Sequence, residues 1–444
     1  MKKKIFFFSL SLFSAVAVVA QISQPLYLDE SQPIEVRVQD ALSRMTLEEK
    51  VKLCTAQSKF SSHGVPRLGI PELWMSDGPH GVREEILWDS WGVAGFTNDS
   101  CTAFPALTCL AATWNPEMSA LYGKSIGEEA RYRRKDVLLA PGCNIYRTPF
   151  NGRNFEYLGE DPYLASVMVV PYVQELQKNG VAACVKHFAL NNQEKWRGHI
   201  DVDLSDRALY EIYLPAFKAA VQKGGAWSIM GAYNKIRGTH ACHNDLLLNR
   251  ILKGEWQFDG CVITDWGGAH DTREAVFNGL DIEMGTYTDG VAKNRDFAYD
   301  NYYLAKDYLK GLKDGTYPVS TVDEKAARIL RLIFRTAMNR NRPWGSFTSE
   351  AHYDAARRIG EEGIVLLKNE PVKSQKSPLL PIDASKYEKI LVVGDNATRY
   401  LSGGVGATTL KVKQDILPLE SLQEMYGDKT VSYTHLTLPT NSLV

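Results

Sequence analysis

The chain has 444 residues, of which 44% are hydrophobic and 23% are charged, so it can bury one large core or two smaller ones. Its net charge of -1 and its isoelectric point of about 6.8 predict neither a nucleic-acid nor an anionic-membrane partner. The 9 Trp, 21 Tyr and 16 Phe residues supply rings that can stack on sugars, although an ordinary large core uses the same residues.

The N-terminus has the pattern of a secretory signal peptide. Lysines at positions 2–4 precede an apolar run that continues to Ala20 and ends on small residues. A membrane anchor is the alternative, but the run is short for a bilayer span. We therefore expect residues 1–20 to be cleaved, the mature chain to start near Gln21, and the protein to be periplasmic or secreted, without a membrane partner after cleavage.

Short apolar runs alternate with long amphipathic stretches from about residue 70 to 340. The runs, which we interpret as strands, cover residues 73–75, 137–140, 182–185, 227–231, 261–264 and 280–284. This alternation predicts a parallel sheet with helical crossovers, a pattern that Rossmann-like and barrel folds both satisfy. Because no GxGxxG follows a strand and the repeats are many, the sequence favours an α/β fold with a TIM-like (β/α) barrel over residues 30–340.

Capping residues mark the predicted helix starts. Asn115 and Asp161 each stand before a proline, which is the favoured order at a helix N-terminus. The pair Thr321 and Glu324 has the spacing of a capping box and predicts a helix that begins there and continues through Met338.

The pattern changes after residue 340. Residues 341–352 read as a linker, and a helix over 353–367 and a buried strand over 389–394 predict the beginning of an α/β sandwich domain at 353–427. Residues 428–444 turn Thr- and Leu-rich without a matching element, and we interpret them as a non-native tail on a C-terminally truncated chain. Unpaired strand edges around 390–393 would then make this chain prone to aggregation.

The run 261–264 ends on Asp265, Trp266 and two glycines. An aspartate at the end of a strand lies where barrel enzymes do chemistry, and the glycines would turn the backbone and leave room for a ligand. An aspartate that only caps the next turn explains this segment equally well. The rest of the chain decides between the two interpretations.

Polar residues follow the other apolar runs as well, and in a closed barrel these ends converge on one face. Carboxylates and cations suit the hydroxyls of a neutral polyol, and an aromatic face suits its ring carbons. Nearby cations would depress the pKa of Asp265 and keep it ionised as a nucleophile. Each residue alone could be structural, but together they are hard to explain as packing. The predicted pocket contains Asp77, Arg83, Arg153, Lys186, His187, Arg197, Tyr233, Asp265 and Trp266.

Five strings carry a resemblance to a known family: MSDGPHGVR, GRNFEYLGEDPYLAS, CVKHFALNNQE, SIMGAYNKIRG and VITDWGG. They resemble glycoside hydrolase family 3 of the β-glucosidase type, over about residues 33–404. The resemblance implies a retaining, exo-acting β-glycosidase that removes non-reducing-end β-D-glucosyl residues from oligosaccharides or glucosides. It implies that Asp265 is the nucleophile and that Arg83 and Trp266 support the pocket. The residues implied to hold the sugar are Asp77, Arg153, Lys186, His187, Arg197 and Tyr233.

Details of the motifs separate branches of that family. The N-acetylglucosaminidase branch carries KHFPGHG where this chain has KHFALNNQ, so that branch is disfavoured. The β-xylosidase branch tends to carry Glu at the position of Asp77, which favours glucose-like hexosides. A β-xylosidase or another β-glycosidase of the family remains the alternative.

Retention needs a second carboxyl group about 5–5.5 Å from the first, acting as acid and then as base. In the β-glucosidase branch this glutamate comes from the second domain, and the stretch up to Gly427 shows no corresponding motif. Glu156, Glu160 and Glu194 match structural positions of the family. The chain can therefore also be interpreted as a non-catalytic sugar-binding fragment, or as a barrel phosphorylase or transglycosylase. No cofactor or metal is expected, because no metal-ligand spacing is present.

Cysteine usage points to burial. The 7 cysteines include no CxxC pair, and Cys143, Cys184 and Cys261 lie in apolar stretches, so we expect them to be buried as small hydrophobic residues.

Overall fold

The structure is a computed structural model that describes residues 24–285, 302–372, 376–404 and 406–433. The predicted signal peptide and positions 434–444 of the predicted tail lie outside these ranges. The strands are β1 (Ala56–Ser58), β2 (Ser61–Ser62), β3 (Met75–Asp77), β4 (Val137–Leu139), β5 (Ala182–Phe188), β6 (Asp201–Val202), β7 (Ser228–Gly231), β8 (Lys235–Ile236), β9 (Thr239–His240), β10 (Cys261–Thr264), β11 (Ile390–Val393) and β12 (Thr430–Tyr433). The α-helices span Ile34–Arg44, Leu47–Leu53, Leu107–Ala112, Pro116–Tyr132, Pro162–Gln177, Asp206–Ala208, Pro215–Gln222, Thr272–Phe277, Lys306–Lys313, Val319–Arg335, Glu350–Glu362 and Pro418–Tyr426.

The central sheet is parallel and has the strand order β10-β7-β5-β4-β3. Isolated bridges continue it from both edges, joining Ile263 to Ile282, Thr55 to Glu283, and Ser61 to Trp74. These bridges connect β10 to β3 by way of the β1–β2 hairpin, so the backbone wraps around as in a TIM-like barrel. Among the described residues the regular strands alone do not close the ring. The predicted α/β class and TIM-like arrangement are confirmed.

The predicted strands differ from the observed ones mainly at their ends. The first begins and ends two residues later than predicted, so Asp77 belongs to β3, and β5 extends to include Lys186 and His187. The predicted strand 280–284 is wrong, since it contributes only isolated bridges. Its charged residues explain this: Asp281 pairs with Lys253 Nζ at 3.0 Å, and Glu283 accepts a hydrogen bond from the Leu304 N–H.

Two of the predicted helix starts are confirmed and one is wrong. The Asn115 and Asp161 side chains accept hydrogen bonds from backbone N–H groups of the first turn. The helix expected at Thr321 already begins at Val319 and ends at Arg335. Thr321 lies in its first turn, where its hydroxyl donates to the Pro318 carbonyl at 2.7 Å instead of capping.

The helix Glu350–Glu362 packs on the helix Pro116–Tyr132 and shares one apolar core with the sheet through Ala355 and Ile359. His352 is buried at this contact, and its two ring nitrogens lie 2.9 Å from carboxylate oxygens of Glu128 and Glu129. The helix was expected over 353–367, but positions 364–367 lie beyond its end and are exposed. The boundaries proposed for the domains and the linker stay predictions.

The C-terminal part contributes the parallel pair β11–β12 and a segment that returns to the barrel. The Cys101 N–H donates to the Lys411 carbonyl, and Lys411 Nζ lies 2.7 Å from Asp99. Strand β12 includes the first positions of the predicted tail. Cys143, Cys184 and Cys261 are fully buried, as expected. Among the described residues, no helix has the length and apolar character needed to cross a membrane.

Candidate active site

A cavity of about 510 Å³ lies at the carboxyl ends of the central strands. Its lining contains every residue of the predicted pocket: Asp77, Arg83, Arg153, Lys186, His187, Arg197, Tyr233, Asp265 and Trp266. The fold therefore brings together side chains that are up to 189 positions apart in the sequence, from Asp77 to Trp266.

The strands account for the position of the carboxylates and the central cation. Asp77 ends β3, Lys186 lies near the end of β5, and Asp265 directly follows β10. The Asp265 N–H donates to the Gly231 carbonyl of β7 at 3.1 Å, so the ladder continues to the residue that carries the carboxylate. The backbone at Asp265 is therefore fixed by the sheet.

A buried network of charges occupies one side of the cavity. Asp77 lies 3.4 Å from Arg83 Nη1 and 3.8 Å from Lys186 Nζ. Lys186 Nζ is also 3.4 Å from Glu156, which accepts two hydrogen bonds from Arg153, at 2.6 and 2.9 Å. Glu156 thus links two of the cations that line the cavity.

The contacts of three nearby glutamates argue against an acid role. Burial alone would raise the pKa of Glu156, but Lys186 and Arg153 outweigh it and the pKa is lowered. Glu194 is paired with Arg197 at 2.6 Å and with Arg153 at 3.5 Å. Glu160 is exposed and does not line the cavity. None of the three therefore has the contacts of a general acid, and the structural roles expected for them stay predictions.

His187 is held as a neutral ring. Burial, and then Arg153 and the other nearby cations, hold its pKa well below the usual range. Arg153 Nη2 lies 3.1 Å from Nε2 and can only donate, so Nε2 carries the lone pair. Nδ1 then carries the proton and donates to the Tyr157 hydroxyl at 3.0 Å. The 3.6 Å approach of His187 to Asp265 is consequently not an ion pair.

Asp265 combines burial with an unused acceptor. Its Oδ1 accepts a hydrogen bond from the Trp266 N–H at 2.8 Å, whereas Oδ2 is buried and accepts none from the described residues. Burial raises the pKa of Asp265 and outweighs the opposite effect of Arg153, Arg197 and Lys186. The predicted depression of this pKa is therefore wrong, because the cost of removing the carboxylate from water exceeds the attraction of the cations.

Two aromatic residues of the lining, Tyr233 and Trp266, are held by contacts of their own. The Arg197 guanidinium carbon lies 4.4 Å from the centre of the Tyr233 ring, and the Tyr233 hydroxyl donates to the Trp266 carbonyl at 3.0 Å. Trp266 Nε1 donates to the Lys59 carbonyl at 2.7 Å. Both rings are thus held in place before any ligand binds.

The two glycines after Trp266 have different structural roles. Gly267 has φ +80°, which confirms the predicted sharp turn. A Cβ on Gly268 would lie 2.5 Å from Cys242 Sγ, so the space at Gly268 serves internal packing. The expectation that it leaves room for a ligand is wrong at this position.

Five residues of the lining escaped the sequence analysis: Lys59, Trp91, Met230, Gly285 and Gly406. Lys59 follows a strand in which two of the three residues are polar although buried, and Gly406 comes from beyond the predicted linker. Trp91 stands in a hairpin bridged between Ile86 and Val93, a pairing of apolar residues around a turn that could have signalled it. Among the described residues no group of His, Cys, Asp and Glu is arranged to hold a metal ion.

Known sequences resemble most of the chain. The beta-glucosidase BoGH3A of Bacteroides ovatus is 68% identical over 424 residues, which are 95% of this chain and 57% of the relative. The thermostable beta-glucosidase B of Acetivibrio thermocellus is 35% identical over 395 residues, 89% of this chain and 49% of the relative. The chain thus spans about half the length of these curated relatives.

A solved structure and a family model agree with the sequence relatives. The structure of beta-glucosidase 3B from Thermotoga neapolitana in complex with glucose matches with a TM-score of 0.78 at 34% identity, covering 89% of this chain and 55% of that one. The family model described as Glycosyl hydrolase family 3 N terminal domain matches residues 43–332, more than half of the chain. Together with the cavity, this match establishes that the chain belongs to glycosyl hydrolase family 3.

Proposed function

We propose that the whole protein is a retaining, exo-acting β-glucosidase that removes non-reducing-end β-D-glucosyl residues from oligosaccharides or glucosides. One observation carries the proposal: buried Asp265, with an unused acceptor at Oδ2, lies in a cavity with cations, a second carboxylate and the aromatic residues Trp91, Tyr233 and Trp266. The relatives named beta-glucosidase support the same function.

Asp265 acts as the nucleophile in this proposal. Its carboxylate attacks the anomeric carbon, a covalent glycosyl-enzyme forms as the leaving alcohol departs, and water then releases the sugar. The burial that raises the pKa of Asp265 also leaves its anionic form poorly solvated. The positive charge that develops on the sugar ring in the transition state compensates for this missing solvation, so stabilisation is greatest in that state.

The remaining residues hold the sugar. Asp77 can accept hydrogen bonds from hydroxyls, while Lys186, Arg153 and Arg197 can donate them. The Nε2 of His187 already accepts from Arg153, so the neutral ring holds that guanidinium in the pocket. Arg83 orients Asp77, and Trp266 offers a ring face for the sugar or its aglycone.

We place the general acid outside Glu156, Glu160 and Glu194. The first and the last of these are paired with cations, and Glu160 is exposed outside the cavity. We therefore propose that a residue beyond the described barrel lining protonates the leaving alcohol of an ordinary glucoside.

An activated aryl glucoside tests the nucleophile, because its leaving group needs no protonation. We expect a burst of phenol that approaches one equivalent of protein and disappears in Asp265→Asn. Asp307→Asn, an exposed carboxylate outside the cavity, serves as the matched control and should retain the burst.

No burst despite measurable glucose binding would favour the second candidate, a sugar-binding chain without turnover. The absence of an evident acid among Glu156, Glu160 and Glu194 is the observation that favours this candidate. An aryl xyloside in the same assay separates glucoside from xyloside preference. Product analysis with phosphate or an acceptor sugar separates hydrolysis from phosphorolysis and transglycosylation.

We also propose export to the periplasm or the medium, on the basis of the lysines and the apolar run in residues 1–20. N-terminal sequencing of the protein recovered from the producing cells should then begin near Gln21. An intact Met1 on that protein would contradict export by this route.

A further inference from the structure

A second cavity, of about 450 Å³, lies beside the catalytic cavity. Two stretches of chain separate the cavities. In the stretch 193–197, Arg197 lines the first cavity and Gln193 lines the second. In the stretch 233–234, Tyr233 lines the first cavity and Asn234 lines the second. The described linings of the two cavities have no residue in common, so they are neighbouring compartments with a shared wall.

The lining of the second cavity, like that of the first, contains a guanidinium, two carboxylates and an aromatic ring, but it adds amides in place of lysines. It has one guanidinium, two carboxylates, several amides and one aromatic ring, and the residues that supply them include Arg147, Asp201, Asp203, Gln193, Asn234 and Tyr213. Asp201 begins strand β6, which pairs with β8, so a small sheet positions this carboxylate. The cavity is therefore framed by regular structure on one side.

Asn234 gives the second cavity an unused acceptor. The residue is 2% exposed, and its Nδ2 donates to the carbonyls of Ala189 and Lys235, at 3.2 and 3.3 Å. These two bonds fix the orientation of the amide. Its Oδ1 is buried and accepts no hydrogen bond from the described residues. Buried acceptors are normally satisfied, and because Asn234 lines the cavity, a ligand bound there can supply the missing donor.

The chemistry of the lining excludes several kinds of ligand. Asp201 and Asp203 would repel an anion, and the described residues hold no group of side chains suited to a metal ion. The charged and amide groups would lose their hydration without compensation against an apolar molecule. A neutral molecule with many hydroxyls satisfies the carboxylates, the guanidinium and the amide oxygen together, and Tyr213 offers its ring to the apolar face of a sugar.

We propose that this second cavity is a saccharide-binding site for a neutral hexose or disaccharide, separate from the chemistry at Asp265. Its volume falls in the range of about 300–1,000 Å³ that is typical of small-molecule sites. The site goes beyond the proposed glycosidase function, because no bond is made or broken there. The shared wall places its ligand next to the loop that carries Arg197.

Calorimetric titration of the chain with glucose tests the proposal. We expect two classes of binding site. Asp203→Asn should weaken one class about tenfold, the loss expected for one charge-assisted hydrogen bond, and leave the other unchanged. Asp77→Asn should weaken only the other class. Asp307→Asn is the matched control and should change neither, and thermal melting checks that each variant is folded.

A titration in which Asp203→Asn weakens no class of site overturns the proposal, whether glucose binds once or not at all. Crystals soaked with glucose give a second readout: a hexose against Asn234 and Asp203 is expected, and a hexose beside Asp265 alone would also overturn it. The phenol burst with the aryl glucoside should be the same in Asp203→Asn and in the unmodified chain. A failure of the second site is thus distinguishable from a failure of the glycosidase function.

Discussion

Glu156 pairs with two of the cations in the cavity that contains Asp265. It is 1% exposed, receives both Arg153 hydrogen bonds, and lies 3.4 Å from Lys186 Nζ. Without its charge, two buried cations would keep only Asp77, Glu194 and Asp265 as nearby counterions. We infer that Glu156 is a positioning residue, which acts on the sugar through Arg153 and Lys186.

The substitution Glu156→Gln keeps the shape and removes the charge. We expect the free energy of unfolding at neutral pH to fall by about 3–5 kcal/mol, the usual loss when one partner of a buried ion pair is removed. Because the pKa of Glu156 is lowered, its stabilisation is fully present above the ordinary glutamate pKa and is lost as the pH falls through the lowered value. Urea unfolding of both proteins should therefore show a difference that shrinks on acidification.

Glu160→Gln is the matched control for this experiment, since Glu160 is exposed and four positions away. It should change stability little at any pH. Glucose affinity, measured on both variants, separates positioning from bulk stability. Glu156→Gln with unchanged affinity and an unchanged pH dependence of unfolding would refute the positioning role.

Single residues show how far the sequence predicted the site. The motif-bearing side chains could be assigned because each lies at or after the end of a strand, where barrel geometry forces convergence. The pKa of Asp265 could not be predicted, since its direction depends on how much water the cavity removes. Glu156 was assigned a structural role, but the hydrogen bonds that make it the centre of the network appear only in the structure.

Sequence periodicity did not predict the elements in which polar residues are buried. Strand β1 reads Ala-Gln-Ser, and β2 reads Ser-Ser, yet both are wholly buried at the edge of the sheet. Lys59 lies between them and lines the cavity, so no apolar run could have pointed to it. The segment 280–284 shows the converse, because its apolar residues predicted a strand that its buried carboxylates interrupt.

The segment that ends at Gly285 supports Trp266 from behind. Gly285 has φ +75°, and a Cβ at this position would lie 2.5 Å from the Trp266 Cβ. The backbone approaches the indole this closely only because no side chain intervenes. The orientation of Trp266 in the cavity therefore depends on a neighbouring element as well as on its own hydrogen bond to Lys59.

The substitution Gly285→Ala should displace Trp266 and weaken glucose binding measurably, in addition to a backbone cost of about 1–2 kcal/mol for a left-handed alanine. Gly315→Ala isolates that backbone cost, because Gly315 has φ +81° and a Cβ added there would meet no atom within 4 Å. Both variants should lose similar stability from strain, and only Gly285→Ala should lose affinity. Equal glucose affinity in the two variants would show that Gly285 does not determine the orientation of the Trp266 indole.

At the scale of the molecule, the barrel and the C-terminal part differ in how far their apolar residues are buried. The apolar core extends from Tyr27 to Ile359 and includes Leu410 from the returning segment. In contrast, Leu391 and Val393 of β11 are 50% and 42% exposed, although β12 pairs with this strand. The structure contains the strand that the sequence predicted here, but the strand is not buried as predicted. Burial would need further packing elements against β11, and the described residues do not supply them.

Among the described residues, one stretch of four consecutive apolar residues is exposed. Residues 364–367 read Ile-Val-Leu-Leu and are 77%, 60%, 61% and 91% exposed. Contiguous exposed apolar residues promote association, whereas isolated ones are normal on protein surfaces. We therefore expect this chain to aggregate at high concentration, and Leu367→Lys to reduce light scattering on concentration and heating. Trp344→Lys is the matched control, because Trp344 is 86% exposed outside this run, and it should help less. An unmodified chain that stays monodisperse and melts cooperatively would contradict this account, since the four exposed apolar residues would then not promote association.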